Sequence, residues 1–355
     1  MIQWPSIQII RDDGSVANAI APMIISASRA TDIPAFYSDW FFKRLSIGYS
    51  AWINPFNGTK SFVSFRNTRF IIFWSKNPAP LLEHITDLDK KNIGCYIQYS
   101  LNDYEREGLE KAVPPLTQRL DTFKRLSDSL GKGRVIWRFD PLVLTDNITE
   151  DSLLEKIEHI GDQLYGYTEK LVFSFADILA YKKVKANLER DRVNYQDWTD
   201  DRMDKFASRL SKLNGKWGYN LGTCAEKIDL EKYGISHNKC IDEDLLIRFA
   251  PDDKKLMDFL GVDVRFPDKG LFGEEQIPEG SLKLGDGRIA FKSRNNKDKG
   301  QRPFCGCIAS KDIGEYNACT HLCEYCYANA NKEIAINNYK LHKENPYTET
   351  ITGKI

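Results

Sequence analysis

Six short runs constrain this chain more than any other feature. Each is apolar, β-branched or aromatic, and each ends on polar or charged residues. They are MIISASR (23–29), FIIFWSKN (70–77), CYIQYS (95–100), RVIWRFD (134–140), KLVFSFAD (170–177) and GYNLGTCAE (218–226). Between them lie amphipathic helix candidates at 35–47, 116–131, 150–166 and 199–215. The last three close on Gly131, Gly166 and Gly215, as helix carboxyl ends often do. TDIP at 31–34 reads as a cap followed by an early proline, a helix start. Strands that alternate with helices build a parallel sheet covered by helices. Six or more such units point to an α/β fold closed as a TIM-like βα barrel, with a doubly wound open sheet as the second choice. No G-x-G-x-x-G follows the first run, which weakens a dinucleotide-binding open sheet.

Both architectures place the site at the carboxyl ends of the strands. The polar residues there become candidates: Arg29, Asp32, Lys76, Asn77, Tyr99, Arg138, Asp140, Asp177 and Glu226. Any one of them reads most simply as a solvated strand end. Several, however, sit inside aromatic runs where a stray charge is costly, which favours one shared rim.

The chain has 355 residues, 42% hydrophobic and 28% charged, which is globular and long enough for a large core. Fifty basic and fifty acidic residues cancel, so net charge gives no pointer to nucleic acid or membrane. Early charges at Arg11, Asp12 and Asp13 argue against a leader peptide, and no apolar run reaches ~20 residues, so a cytoplasmic location is expected. The pattern divides the chain into a barrel body (1–250), a loop-rich basic insertion (251–304) and a cysteine-rich βα segment (305–355) packing on the barrel mouth. Residues 281–304 hold seven Lys or Arg against two Asp. A solvated loop is the simpler reading; an anion or nucleic-acid contact is the other.

Eight cysteines in a cytosolic chain point to metal or redox chemistry before disulfides. Cys319, Cys323 and Cys326 are spaced C-x3-C-x2-C, with Tyr325 just before the last. Structural zinc and cubane iron–sulfur centres usually take four ligands, so a loop with three leaves one metal position open. His321 lies inside the loop and reads as an exposed position, not a ligand. Cys224, Cys240, Cys305 and Cys307 come from three segments and suffice for a second closed [4Fe–4S] cluster or a zinc site. The simpler reading leaves Cys224 in the core and CGC in a tight turn. Cys95 opens a strand and reads as a small buried hydrophobe. There is no H-E-x-x-H, no G-x-S-x-G and no phosphate loop.

The cysteine loop resembles the signature of the radical S-adenosylmethionine enzymes. That resemblance implies a [4Fe–4S] cluster on Cys319, Cys323 and Cys326, with S-adenosylmethionine completing the open iron. It places Tyr325 near the adenine; Asn77 and Tyr327 are grouped with it as cofactor-binding candidates. It also implies a partial or full βα barrel and an external reductant such as flavodoxin or ferredoxin. Over nearly the whole length, SASRATDIPAFYSDWF, FWSKNP, VIWRFDP, TCAEKID, QRPFCGC and SKDIGEYNACTHLCEYCYAN resemble the bacterial family called domain of unknown function 1848. In radical enzymes the cysteine loop usually follows the first strand. Here it comes last, so CIASKDIG as the preceding strand and the helix after 330 imply a circularly permuted barrel.

The expected function is therefore radical chemistry on a small substrate. Arg29, Lys76 and Arg138 would hold an anionic group. Asp32, Asp140, Asp177 and Glu226 would bind hydroxyls or move protons, and Tyr99 would relay a hydrogen atom. Two alternatives stand: a radical enzyme acting on nucleic acid, which CEYCYA and the basic loop suggest, and a non-radical zinc or iron–sulfur protein.

Overall fold

The computed structural model describes residues 4–270 and 274–354. An antiparallel hairpin, β1 (Ser6–Ile10) and β2 (Val16–Ile20), leads into β3 (Ile24–Ala27), α1 (Ile33–Phe36) and α2 (Ser38–Ile47). A second hairpin follows, β4 (Tyr49–Ile53) and β5 (Lys60–Ser64), and β5 lies parallel to β2 in a four-stranded sheet. The expected alternation then runs through β6 (Phe70–Ser75), α3 (Ile85–Lys90), β7 (Gly94–Ser100), α4 (Leu116–Leu130) and β8 (Val135–Leu142). After the short β9 (Leu144–Thr145) come α5 (Glu150–Leu164), β10 (Lys170–Phe175), α6 (Lys182–Arg190), β11 (Tyr195–Gln196), α7 (Asp200–Asn214), β12 (Asn220–Thr223) and β13 (Ile235–His237). The rest comprises α8 (Glu243–Phe249), α9 (Lys254–Leu260), β14 (Val262–Arg265), β15 (Asp268–Lys269), β16 (Glu275–Gln276), β17 (Leu282–Lys283), β18 (Ile289–Lys292), β19 (Lys311–Asp312) and α10 (Lys332–Glu344).

Eight strands form the central sheet, in the order β13-β12-β10-β8-β7-β6-β3-β19. Every neighbouring pair is parallel. The six runs read from the sequence supply its six inner strands. The closed barrel does not form: the sheet ends on β13 and β19, and these do not pair. The edges explain why. β13 has three residues and β19 two, too few to build a closing ladder. The segments beyond them meet instead through one backbone bond, Ile308 N–H to the Ile241 carbonyl at 3.1 Å. The strand expected before the cysteine loop is present as β19, beside β3.

Side chains alternate across the sheet with period two. One face carries Ile25, Ile71, Phe73, Ile97, Tyr99, Val135, Trp137, Phe139, Leu171 and Phe173. It packs under α2, α4, α5 and α7 in the main core, which includes Phe41, Phe123, Ile157 and Leu210. Each such side chain fully removed from water contributes about 1.5–3 kcal/mol. The opposite face carries Ile24, Phe70, Ile72, Tyr96, Ile136 and Val172, and is covered by Leu246, Ile247, Leu256 and Leu260 of α8 and α9. Towards the carboxyl ends this second face turns polar: Ser26, Gln98 and Arg138 are buried there.

Candidate active site at the carboxyl edge of the sheet

Asp312 of β19 ties the edge together. Its carboxylate accepts from Ser26 Oγ at 2.9 Å, Ser28 Oγ at 2.8 Å, Arg29 N at 2.9 Å and Gly314 N at 2.8 Å. Gly314 cannot carry a side chain, because a Cβ there would land on Ser28 Oγ. β19 is thereby locked beside β3, and the cysteine loop starts at this edge.

The loop from β19 to α10 is clamped from three sides. Tyr37 of the α1–α2 junction donates to the Ala318 carbonyl at 2.5 Å. Asn338 of α10 donates to the Asn317 carbonyl at 2.8 Å, and Asn329 donates to the Cys319 carbonyl at 2.7 Å. The 109–112 segment bonds the backbone of Glu324 and His321. Asn317 and Leu322 take left-handed backbone angles, φ 58° and 56°, which turn the chain sharply before and within the cysteine loop. Burial raises the thiols of Cys319, Cys323 and Cys326. Proximity adds to this: Cys326 raises both others and Cys319 raises Cys323, while the Lys76 ammonium lowers Cys323 and Cys326.

His321 is buried, not exposed as the sequence suggested. Its Nε2 lies 2.7 Å from Asp32 Oδ2, which also accepts Lys76 N at 2.7 Å. Burial alone would raise the Asp32 carboxyl, but His321 and these bonds hold it below the ordinary range. Lys76 Nζ lies 2.7 Å from Glu110 Oε1 and 3.0 Å from Tyr325 OH, which itself donates to Glu110. Asn102 joins them at 3.0 Å from Tyr325 OH. Sequence reasoning missed Glu110 and Asn102. Both lie in irregular chain, where no strand or helix pattern marks them.

A second cysteine group sits on the polar face of the sheet, past β12 and β13. Cys224 Sγ and Cys240 Sγ are 3.5 Å apart. Cys307 acts in turn on both Cys240 and Cys305. Cys240 also receives Arg138 Nη1 at 3.1 Å and Asn238 Nδ2 at 3.2 Å, and Cys307 receives Ile241 N at 3.3 Å. Cys224 and Cys307, then the Arg138 guanidinium, hold Cys240 well below the usual thiol range; Cys307 brings Cys305 down to about 6. Arg138 further contacts Gln98 and Asp140, and Asp140 accepts from Ser174. Arg29 and Arg138 lie 5.4 and 5.3 Å from the Trp74 ring, whose buried indole N–H has no partner. Glu226 accepts Phe175 N at 2.9 Å, and burial, with Asp140 and Asp177 nearby, raises its carboxyl to about 7. Tyr327 spans the two cysteine groups: it donates to the Arg29 carbonyl at 2.6 Å and follows Cys326 directly.

Tyr99 stands apart from the site, and Asp177 lies at its exposed margin near Glu226. Tyr99 points to the opposite face, where its hydroxyl donates to the Arg119 carbonyl at 3.0 Å and its ring stacks on Phe123. It falls one residue out of phase with Gln98, so it faces the helices and not the cysteines. Asp177 is exposed and accepts Ala180 N in a turn. Asn77 N donates to Ser75 Oγ at the β6 end. Cys95 packs in the helix-side core, where burial pushes its thiol up to about 12. In the basic loop, Arg288 pairs with Asp252 and Asp286, Lys292 with Glu243 and Asp244, and Arg302 donates to Tyr181.

Among the described residues, no group of three or more His, Cys, Asp or Glu side chains is already arranged to hold a metal ion, so the cysteine-rich segment is not defined as a cluster site by geometry alone. Among the same residues no helix is long and apolar enough to cross a membrane. Fold and site together define a parallel α/β protein with two thiol groups along one sheet edge. The chain belongs to the family described as Domain of unknown function (DUF1848), whose model matches residues 24–328. Comparison with the curated proteins and with the solved structures gives no match.

Proposed function

We propose that this chain is an iron–sulfur enzyme of the radical S-adenosylmethionine type, acting on a small anionic substrate at the carboxyl edge of the sheet. One observation carries the reading. Three thiols from a single loop, Cys323 buried and Cys319 and Cys326 half-buried, lie close enough to raise one another's protonation, beside the Lys76 ammonium. Three soft donors and no fourth cysteine on that loop suit a cubane with one iron left for a small molecule. When bound, such a cluster supplies one electron to the sulfonium of S-adenosylmethionine and so starts radical chemistry, with the electron coming from a flavodoxin- or ferredoxin-like donor.

The residues of the chain would do the rest. Lys76 offsets thiolate charge at Cys323, and Glu110, Tyr325 and Asn102 fix Lys76 in place. Asp32 and His321 brace the loop against the β6 end. Arg29 and the free indole N–H of Trp74 offer donors to an anionic group. Glu226, raised to about 7, suits it to give or take a proton near neutral pH. The reading on nucleic acid loses support because Arg288, Lys292 and Arg302 of the basic loop are engaged within the chain.

The test is anaerobic reconstitution followed by incubation with dithionite and S-adenosylmethionine. The reading predicts 5′-deoxyadenosine from the wild-type chain and none from Cys323→Ala. Equal product from both would overturn it.

A further inference from the structure

We propose that Cys224, Cys240, Cys305 and Cys307 form a separate mononuclear four-thiolate centre of the zinc type. The inference stands independently of the radical reading. It commits to one of the two groups that the cysteine count alone left open.

The spacing of the thiols argues for a single ion. Thiolates ~2.3 Å from one tetrahedral ion stand ~3.8 Å from each other. Cys224 Sγ and Cys240 Sγ are already 3.5 Å apart, and Ile241 N, one residue after Cys240, holds Cys307 Sγ at 3.3 Å, with Cys305 two residues before Cys307. The corners of a cubane rest on different irons, which demands wider separation. The four do not form a finished cage: Cys224 and Cys240 are in direct contact, and closing the site needs Cys305 to move towards them. Cys305 lies on the short CGC stretch, next to a glycine, while Cys240 and Cys307 are fixed by backbone and side-chain donors.

Charge supplies the second argument. Four thiolates around a divalent ion leave two net negative charges, which burial makes costly unless they are offset. Two guanidiniums face the group. Arg138 donates to Cys240 Sγ at 3.1 Å. Arg29 acts electrostatically on Cys307, Cys240 and Cys305 from beside Trp74. The N–H bonds from Asn238 to Cys240 and from Ile241 to Cys307 are what orients and tunes metal-bound sulfur. A set of core cysteines and a tight turn needs neither the arginines nor the donors.

The experiment uses the full chain, purified anaerobically from zinc-supplemented cultures and, separately, loaded with cobalt(II). The proposal expects one zinc per chain and the visible spectrum of a tetrahedral cobalt thiolate. Cys224→Ser and Cys305→Ser, with folding checked by circular dichroism, should each lose most of the zinc. Cys323→Ala should retain it whether or not the wild-type chain also binds iron. Arg29→Gln should keep one zinc but release it to a chelator roughly 10–100-fold more readily. Three results would overturn the proposal: no zinc or cobalt in the wild-type chain, iron instead of zinc that disappears with Cys224 or Cys305, or a Cys224–Cys240 disulfide in the native chain by mass spectrometry.

Discussion

Glu226 owes its raised carboxyl first to burial and then to two neighbouring carboxylates, Asp140 and Asp177. The sign of the consequence is fixed. The folded chain holds a proton that the unfolded chain releases, so between pH about 4.5 and about 7 stability falls as pH rises. Glu226→Gln removes that slope. Chemical denaturation across this window should show the wild type losing stability relative to the variant as pH increases; parallel curves would contradict the assignment. Lys76 makes a different prediction. Lys76→Met leaves the buried Glu110 carboxylate with Arg119, at 3.7 Å, as its remaining cation among the described residues, and should cost about 3 kcal/mol in urea unfolding. The double variant Lys76→Met, Glu110→Gln should recover part of the loss. Of these groups the sequence revealed Glu226 and Lys76, because both punctuate strand runs. It could not reveal that Glu110 meets Lys76, since 34 residues and an irregular segment separate them. Tyr99 was misplaced for a simpler reason: a strand end gives the position along the sheet but not the face, and one residue of phase sent the hydroxyl to α4.

The strand β19, the cysteine loop and α10 act as one element. Its anchor is Asp312, and Gly314 lies so near Ser28 that no Cβ fits between them. Gly314→Ala should therefore push β19 away from β3 and lower thermal stability, with faster amide exchange at Ser28 and Arg29; an unchanged melting temperature would mean the contact is soft. At the other end, Asn331 caps α10 by accepting Glu333 N at 2.7 Å, and Asn331→Ala should cost about 1 kcal/mol. This element was legible because three spaced cysteines and a helix pattern follow one another; the Asn331 cap was not read. The four-stranded sheet of β1, β2, β4 and β5 was not. Its strands are short and mostly half-exposed, so they lack the continuous apolar run that doubly covered parallel strands show.

At the scale of the whole molecule, the alternation of strands and helices set the parallel sheet and its inner strands, but not its closure. Closure depends on the edges, and β13 and β19 are too short to stand out in a sequence. The open edge places 240–241 against 307–308, so the cysteines past β13 meet those before β19. The two thiol groups thus lie on one edge, with Arg29 and Tyr327 between them. The account rests on the first group holding a cluster that a small molecule completes. Anaerobic reconstitution with iron and sulfide, followed by iron counting and assay for 5′-deoxyadenosine, tests this most directly. The account predicts about four irons per wild-type chain, loss of both iron and nucleoside in Cys323→Ala, and retention of iron in Cys224→Ser. An iron-free wild-type chain, or nucleoside formation that survives Cys323→Ala, would contradict it.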